Sequence, residues 1–104
     1  MIPLPLEMRA ARPESPAAYG QTPLPSYPAA AREQGLEGLV VLNVEVLKSG
    51  RVGEVHVAVS SGALALDQAA LEAVRRWTFT PARQGGRPVD SLVEVPMKFT
   101  LNSR

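Results

Sequence analysis

The fold of this chain is decided by residues 60–82, which have the sequence SSGALALDQAALEAVRRWTFTPA. Ser60-Ser61-Gly62 is a small polar triplet that is typical of a tight turn after a strand. Beyond it, apolar residues recur at helical spacing and predict an amphipathic helix from Asp67 to Trp77. The helix ends before Phe79, because Pro81 favours an extended exit. The buried stripe of this helix consists of Leu66, Ala70, Val74 and Trp77, with Leu71 at its border.

An alternating pattern before this segment predicts a β-hairpin. Residues 38–47 form its first strand, in which every second residue is apolar. Residues 48–51 form a turn around Gly50, and the second strand runs to about Ser60. Gly53 interrupts the alternation of the second strand and indicates a bulge. The residues expected on the inner face are Val40, Leu42, Val44 and Val46 in the first strand and Val55, Val57 and Val59 in the second.

A third strand is predicted after the long helix, and a short helix is predicted before the hairpin. The third strand spans residues 89–101 and again alternates in hydropathy. The short helix spans residues 28–34, with Pro28 in its first turn and Gly35 just after its last turn, where each is favourable. The inner face of the third strand consists of Val93, Val95, Met97, Phe99 and Leu101.

These elements define an α+β fold in which two strands, a main helix and a third strand follow the short helix. If the third strand pairs beside the first, the sheet is antiparallel with the order second, first, third, and its crossover is right-handed. Pro96 favours this arrangement, because proline lacks the amide that a central strand needs and so places its strand at an edge. Both helices are expected to pack on one face of the three-stranded sheet.

The first 25 residues differ in composition from the rest and are interpreted as a proline-rich linker, with the domain at residues 26–104. They contain six of the ten prolines, which favour extended and solvated backbone. Leu4, Leu6 and Met8 alternate, so a short docked strand is the alternative for that part.

Composition excludes several classes of function. The 104 residues suffice for one domain, and a net charge of +1 gives no electrostatic basis for binding nucleic acid. The chain has no cysteine, which excludes disulfides and thiolate metal sites. A single histidine, His56, cannot assemble a typical zinc site. We therefore expect no metal and no cofactor.

No residue pattern predicts catalysis. A nucleophile at Ser61 would need a base and an orienting group, and His56 lies too close along the same strand to complete such a triad. The hydroxyls of Ser60 and Ser61 are instead expected to satisfy nearby backbone amides. The chain is therefore predicted not to be an enzyme. The carboxylates that form no evident facing pair are Asp67, Glu72, Asp90 and Glu94.

From about Pro25 to Leu101 the chain resembles the C-terminal domain of TonB, the family that passes cytoplasmic-membrane energy to outer-membrane transporters. Each matching motif is short, and the resemblance is carried by the order and spacing of the whole set. The motifs are Tyr27-Pro28, Gly35, Gly38, Gly50, Ser60-Ser61-Gly62, Leu66-Asp67, Ala70, Trp77, Phe79, Pro81-Ala82, Gly86 and Pro88-Val89.

The resemblance implies a periplasmic coupling module that drives nutrient or siderophore uptake. Such domains bind the TonB box, a short extended segment of an outer-membrane receptor, which joins their last strand by β-augmentation. The residues that would form this binding edge are Val93, Glu94, Val95, Pro96, Met97, Lys98, Phe99 and Thr100.

The resemblance also implies partners beyond the receptor. TonB-like proteins carry an N-terminal inner-membrane anchor that contacts the ExbB–ExbD proton-driven motor. No anchor segment occurs in this sequence, so the chain is interpreted as a fragment of an anchored protein. Two alternatives remain, namely a TolA-like periplasmic coupling domain and a structural domain that dimerises by pairing its open edge with a second copy.

Overall fold

A computed structural model describes residues 15–101. Its central sheet is antiparallel throughout and consists, in spatial order, of the strands Val52–Val59, Gly38–Val46 and Ser91–Phe99. The α+β fold and the strand order that the sequence predicts are therefore confirmed. In chain order the elements are β1 (Ala18–Tyr19), α1 (Ala29–Glu33), β2 (Gly38–Val46), β3 (Val52–Val59), α2 (Leu64–Arg75), β4 (Phe79–Thr80), β5 (Ala82–Gln84), β6 (Arg87–Val89) and β7 (Ser91–Phe99).

The hydrophobic core lies between α2 and one face of the central sheet. Alternate residues of β2 are fully buried, because successive side chains of a strand point to opposite faces. The stripe predicted for α2 supplies the other wall of the core, and its Leu66, Ala70 and Val74 are fully buried. The opposite face of the sheet is open and carries exposed apolar side chains such as Leu39 and Leu92.

Two bulges in β3 decide which of its valines face the core. The first lies near Gly53, as the sequence predicts. The second lies between Val57, which pairs with Leu42, and Val59, which pairs with Val41. Val59 is therefore on the open face and 53% exposed, so the prediction that placed it on the inner face is wrong. The extra residue at the second bulge reverses the alternation, and its sequence gives no warning of this.

The long helix begins three residues before the predicted start and ends two residues before the predicted end. Ala63 is extended, with φ −128°, and its carbonyl accepts the amides of Leu66 and Asp67. Asp67 therefore lies inside the first turn of α2 and does not begin the helix. Trp77 follows the last turn, and its amide donates to the carbonyl of Val74.

Residues 15–25 pack against the segment that leaves α2. β1 pairs with β4, and Thr78 exchanges backbone hydrogen bonds of 2.9 Å with Gly20 and Gln21. The indole Nε1–H of Trp77 donates to the carbonyl of Pro23 at 2.8 Å. This differs from the solvated chain that the proline content predicts, because the residues between the prolines still supply amides. The linker boundary at residue 25 stays a prediction, and the strand considered for residues 4–8 lies outside the described residues.

Candidate partner-binding edge

Strand β7 lies at one side of the central sheet. It pairs with β2 along its whole length, from Gly38 opposite Phe99 to Val46 opposite Ser91. Within residues 15–101 no strand pairs with its other side. Seven of the eight residues predicted for the edge, Val93 to Phe99, lie in β7 (Ser91–Phe99), and Thr100 follows the last residue of the strand.

The register with β2 tells which backbone groups of β7 point outward. Pro96 lies opposite Val41 and has no amide hydrogen, so these two residues cannot exchange a pair of hydrogen bonds. Hydrogen-bonded pairs alternate along an antiparallel ladder, and residues two apart therefore share the same direction. The amides of Leu92, Glu94 and Lys98 consequently point away from β2, as do the carbonyls of these residues and of Pro96.

The side chains of β7 hold the strand while its outer backbone stays accessible. On the inner face Val95, Met97 and Phe99 are at most 6% exposed and belong to the core. On the open face Leu92 is 78% exposed, and the other open-face residues, Glu94, Pro96 and Lys98, are also exposed.

Three contacts outside the ladder fix the ends of β7. Beyond its C-terminal end, the amide of Leu101 donates to a carboxylate oxygen of Glu37 at 2.8 Å. Before its N-terminal end, the carboxylate of Asp90 accepts the amide of Lys48, also at 2.8 Å. The ring of Phe99 meets that of Tyr27 edge to face, with centroids 5.4 Å apart. An edge held in this way is preorganised for pairing with another strand.

The Ser60–Gly62 turn is fastened to α2 by the carboxylate of Asp67. The hydroxyls of Ser60 and Ser61 both donate to this carboxylate, and the amide of Ser61 donates to it at 2.9 Å. The same two hydroxyls accept the amides of Gly62 and Ala63, as the sequence predicts for a turn. The two serines thus serve to lock the end of β3 to the start of α2.

The environment of Asp67 shifts its acid–base equilibrium. Burial by itself raises the pKa of this carboxyl, but the hydrogen bonds from Ser60 and Ser61 favour the charged form and together outweigh burial. The net result is a pKa below the ordinary value for aspartate. A carboxyl whose pKa is lowered by folding stabilises the fold above its unfolded pKa, and this contribution is lost as the pH falls through the folded pKa.

We therefore expect Asp67→Asn to lower the free energy of unfolding by about 1–3 kcal/mol at neutral pH, since the hydroxyls of Ser60 and Ser61 and the Ser61 amide lose a charged acceptor. The difference from the unsubstituted chain should shrink below about pH 4, near the unfolded pKa of aspartate. Urea unfolding at pH 7 and pH 3 measures both effects. Glu72→Gln, an exposed carboxylate on the same helix, is the control and should change little at either pH. An equal loss at both pH values would contradict the proposed role of the charge.

Trp77 and Phe79 belong to the core, as predicted, and are 7% and 6% exposed. Their rings form a cluster with Tyr19 of β1, at centroid distances of 5.7–6.2 Å. This cluster packs the exit of α2 against the N-terminal segment. Neither ring is available as an exposed platform for a ligand.

Two glycines of the matched motifs lie where two elements approach each other closely. Gly50 has φ +89°, and a Cβ atom there would lie 2.4 Å from the carbonyl oxygen of Phe79. A Cβ atom on Gly38 would lie 2.9 Å from that of Ser61. The motifs therefore mark contacts between elements. Four further residues of the matched motifs also have structural positions. The hydroxyl of Tyr27 donates to the carbonyl of Leu36, and Pro28 is the N-cap of α1. Leu66 is fully buried, and Pro81 is half-buried after β4.

The described part of the chain contains no cluster of three or more residues that could hold a metal ion. His56 is exposed on the open face of the sheet, and its nearest charged neighbour is Glu54, at 3.5 Å. Within the same residues, no helix is long and apolar enough to cross a membrane.

The fold and the edge together define a small α+β domain that presents an ordered, unpaired strand. The family model described as "Gram-negative bacterial TonB protein C-terminal" matches residues 23–101. The chain therefore belongs to the TonB family and carries its C-terminal domain. This family consists of non-enzymatic energy transducers, and the domain is periplasmic.

Known relatives support this assignment. The chain is 50% identical over 90 residues to the protein tonB2 of Pseudomonas aeruginosa, covering 86% of this chain and 33% of that protein. It is 36% identical over 88 residues to the TonB protein of Vibrio cholerae, covering 85% and 36% of the two chains. The chain thus spans about a third of the length of these relatives.

Solved structures share the fold. The solution structure of the Pseudomonas aeruginosa TonB C-terminal domain superimposes with a TM-score of 0.72 at 25% identity, covering 88% of this chain and 92% of that one. A Helicobacter pylori TonB C-terminal domain superimposes with a TM-score of 0.58 at 26% identity, covering 76% and 71%. These matches favour a TonB-type domain over the TolA-like alternative.

The sequence prediction of the edge omitted Leu92. Leu92 is an even number of residues from Pro96, so its amide points outward as well. The sequence alone was enough to show this spacing. The prediction also missed the contribution of residues 15–25. No periodic apolar pattern marks them, and only the three-dimensional contact with Trp77 reveals that they dock.

Proposed function

We propose that the outer edge of β7 binds the TonB box of an outer-membrane receptor by strand addition. The observation that carries this proposal is the outward direction of the Leu92, Glu94 and Lys98 amides on a strand held in place by its buried inner face. An extended peptide of any sequence can pair with such groups, and side-chain contacts then add specificity.

Strand addition suits a domain that transmits force. Each main-chain hydrogen bond contributes about 1 kcal/mol net, so a short strand binds reversibly. When the two strands are pulled along their length, all the bonds between them share the load. In our proposal the receptor segment is held at β7, and the pull arrives through residues 15–25, which are fastened to the exit of α2.

The other partners follow from the family and are part of the same proposal. The intact protein would be held in the inner membrane by an N-terminal anchor, and this anchor would contact ExbB and ExbD. The domain would then work in the periplasm, between the motor and the receptor. It would act in the uptake of a siderophore or another nutrient.

A second copy of the chain is the main competitor for the edge. In the symmetric antiparallel register centred on Pro96, Lys98 would lie opposite Glu94 of the other copy. The same register places the two Pro96 residues opposite each other, and the central pair then lacks both amides. This loss disfavours the dimer relative to a peptide that carries its own amide at that position.

We expect the isolated domain, exported to the periplasm of cells that rely on an intact transducer, to reduce receptor-dependent uptake. It would occupy receptor segments without connecting them to the motor. Uptake of a labelled siderophore at increasing levels of the domain measures the effect. A Lys98→Pro domain, which loses an outward amide, is the matched control and should compete less. Undiminished uptake at high levels of folded domain would contradict the proposal.

A further inference from the structure

The open face of β7 carries two opposite charges, and neither has a charged residue directly opposite on β2. Lys98 lies opposite Leu39, and Glu94 lies opposite Asn43. Both charged side chains are exposed, and within residues 15–101 neither forms an ion pair. On the outer side of β7, no other strand within residues 15–101 occupies the positions opposite Lys98 and Glu94.

An apolar row separates the two charges. Val59 pairs with Val41 across the β3–β2 ladder, and Val41 pairs with Pro96 across the β2–β7 ladder. All three side chains lie on the open face, since the second bulge brings Val59 there. A fourth strand would extend this row, and its residue opposite Pro96 would be next to apolar surface. Directly opposed side chains are the pairs that stabilise a sheet, so this position favours an apolar residue.

Neighbouring carboxylates add to the negative charge around Glu94. Glu45 of β2 lies diagonally next to it on the same face, since Glu45 pairs with Leu92. Glu54 of β3 approaches the same region, where its amide donates to the Glu45 carboxylate at 3.0 Å. Lys98 lies at the other end of the edge, opposite an apolar residue. Along β7 itself the charge is therefore negative at Glu94 and positive at Lys98, and the carboxylate of Glu37 also lies near the C-terminal end, where it accepts the amide of Leu101.

We propose that this edge selects an extended segment of bipolar charge, with an acidic residue opposite Lys98, an apolar residue opposite Pro96 and a basic residue opposite Glu94. The two charges of the bound segment would be four residues apart, as Glu94 and Lys98 are. This inference rests on the proposed function, because it specifies the chemistry of the segment that β7 receives. It holds for either direction of the added strand, since reversing the segment only reverses the order of its two charges.

Three short peptides test the inference. They share one alternating backbone of valine and threonine and differ only at two positions four residues apart. The first is a mixed-charge peptide with glutamate and lysine, used in both orders because the strand direction decides which of them lies opposite Lys98; the second carries two glutamates, and the third carries two lysines. Each is titrated into the isotope-labelled domain, and the amide shifts along β7 report both the place of binding and the affinity.

We expect the mixed-charge peptide, in the order that matches the strand direction, to bind the unsubstituted domain more tightly than either same-charge peptide. Each opposed pair changes an equilibrium by about 1.4- to 5-fold, so replacing an attractive pair by a repulsive one should weaken binding by about 2- to 25-fold. Raising the salt concentration should reduce this preference, because exposed charges are screened.

Charge reversal on the domain should change the preference in a defined way. Lys98→Glu should favour the peptide with two lysines, and Glu94→Lys should favour the peptide with two glutamates. The double variant should prefer the mixed-charge peptide in which the glutamate and the lysine have exchanged places. Glu72→Lys on α2 changes the net charge as much as Glu94→Lys does but lies off the edge, and it should leave the preference unchanged.

The outcomes separate this inference from the function on which it rests. If all three peptides shift the β7 amides with equal affinity, the edge binds strands but its charges select nothing, and the inference fails. If no peptide shifts these amides, the proposed function fails with it. If the β7 amides shift with the concentration of the domain alone, a second copy occupies the edge and the inference is overturned.

Discussion

Replacing Trp77 by alanine is expected to lower the free energy of unfolding by about 3–5 kcal/mol, the usual cost of removing a buried tryptophan. The indole is 7% exposed and contacts the rings of Tyr19 and Phe79. Its Nε1–H also donates a hydrogen bond of 2.8 Å to the carbonyl of Pro23. The substitution would therefore leave a cavity in the core and release the N-terminal segment at the same time.

Trp77→Phe separates these two contributions. The smaller ring keeps part of the packing but cannot donate to Pro23, so we expect a loss of roughly 1–2 kcal/mol. Chemical denaturation of both variants gives the two free energies, and amide exchange at Gly20 reports release of the segment. A Trp77→Ala domain of unchanged stability that binds receptor peptide poorly would show that the indole is a binding platform.

Val95→Pro is expected to unfold the domain or to destabilise it by at least about 3 kcal/mol. The Val95 side chain is 1% exposed, and its backbone pairs with Leu42 in the middle of the sheet. Proline removes the inward amide and leaves a buried carbonyl of β2 without its donor, which costs about 1–3 kcal/mol by itself. The pyrrolidine ring also disturbs the packing and the ladder around it.

Lys98→Pro is the matched control on the same strand. Its amide points away from β2, so the fold should stay largely intact. A receptor peptide should nevertheless bind about 5-fold more weakly, which is the net worth of one hydrogen bond of about 1 kcal/mol. Thermal unfolding and peptide titration of the two proline variants measure these effects. If Lys98→Pro unfolds the domain while Val95→Pro is tolerated, the inward and outward directions assigned to β7 are reversed.

Much of the candidate site could be predicted from the sequence because one residue determines the direction of its backbone. Pro96 lacks an amide hydrogen, which placed its strand at an edge and indicated which neighbouring residues point their amides outward. The structure adds that the residue opposite Pro96 is Val41 and that the residues directly opposite Lys98 and Glu94 on β2 are uncharged. These pairings depend on the register, which links residues far apart in the chain.

The sequence by itself determined the α+β fold, the order of the strands and most of the core, since these follow from local periodicity and from the positions of proline and glycine. Only the tertiary structure decided three features. A second bulge moved Val59 to the open face, residues 15–25 docked on Trp77, and Asp67 locked the serine turn instead of starting a helix. Each depends on how one segment packs on another or on the register between strands, and local side-chain patterns do not contain that information.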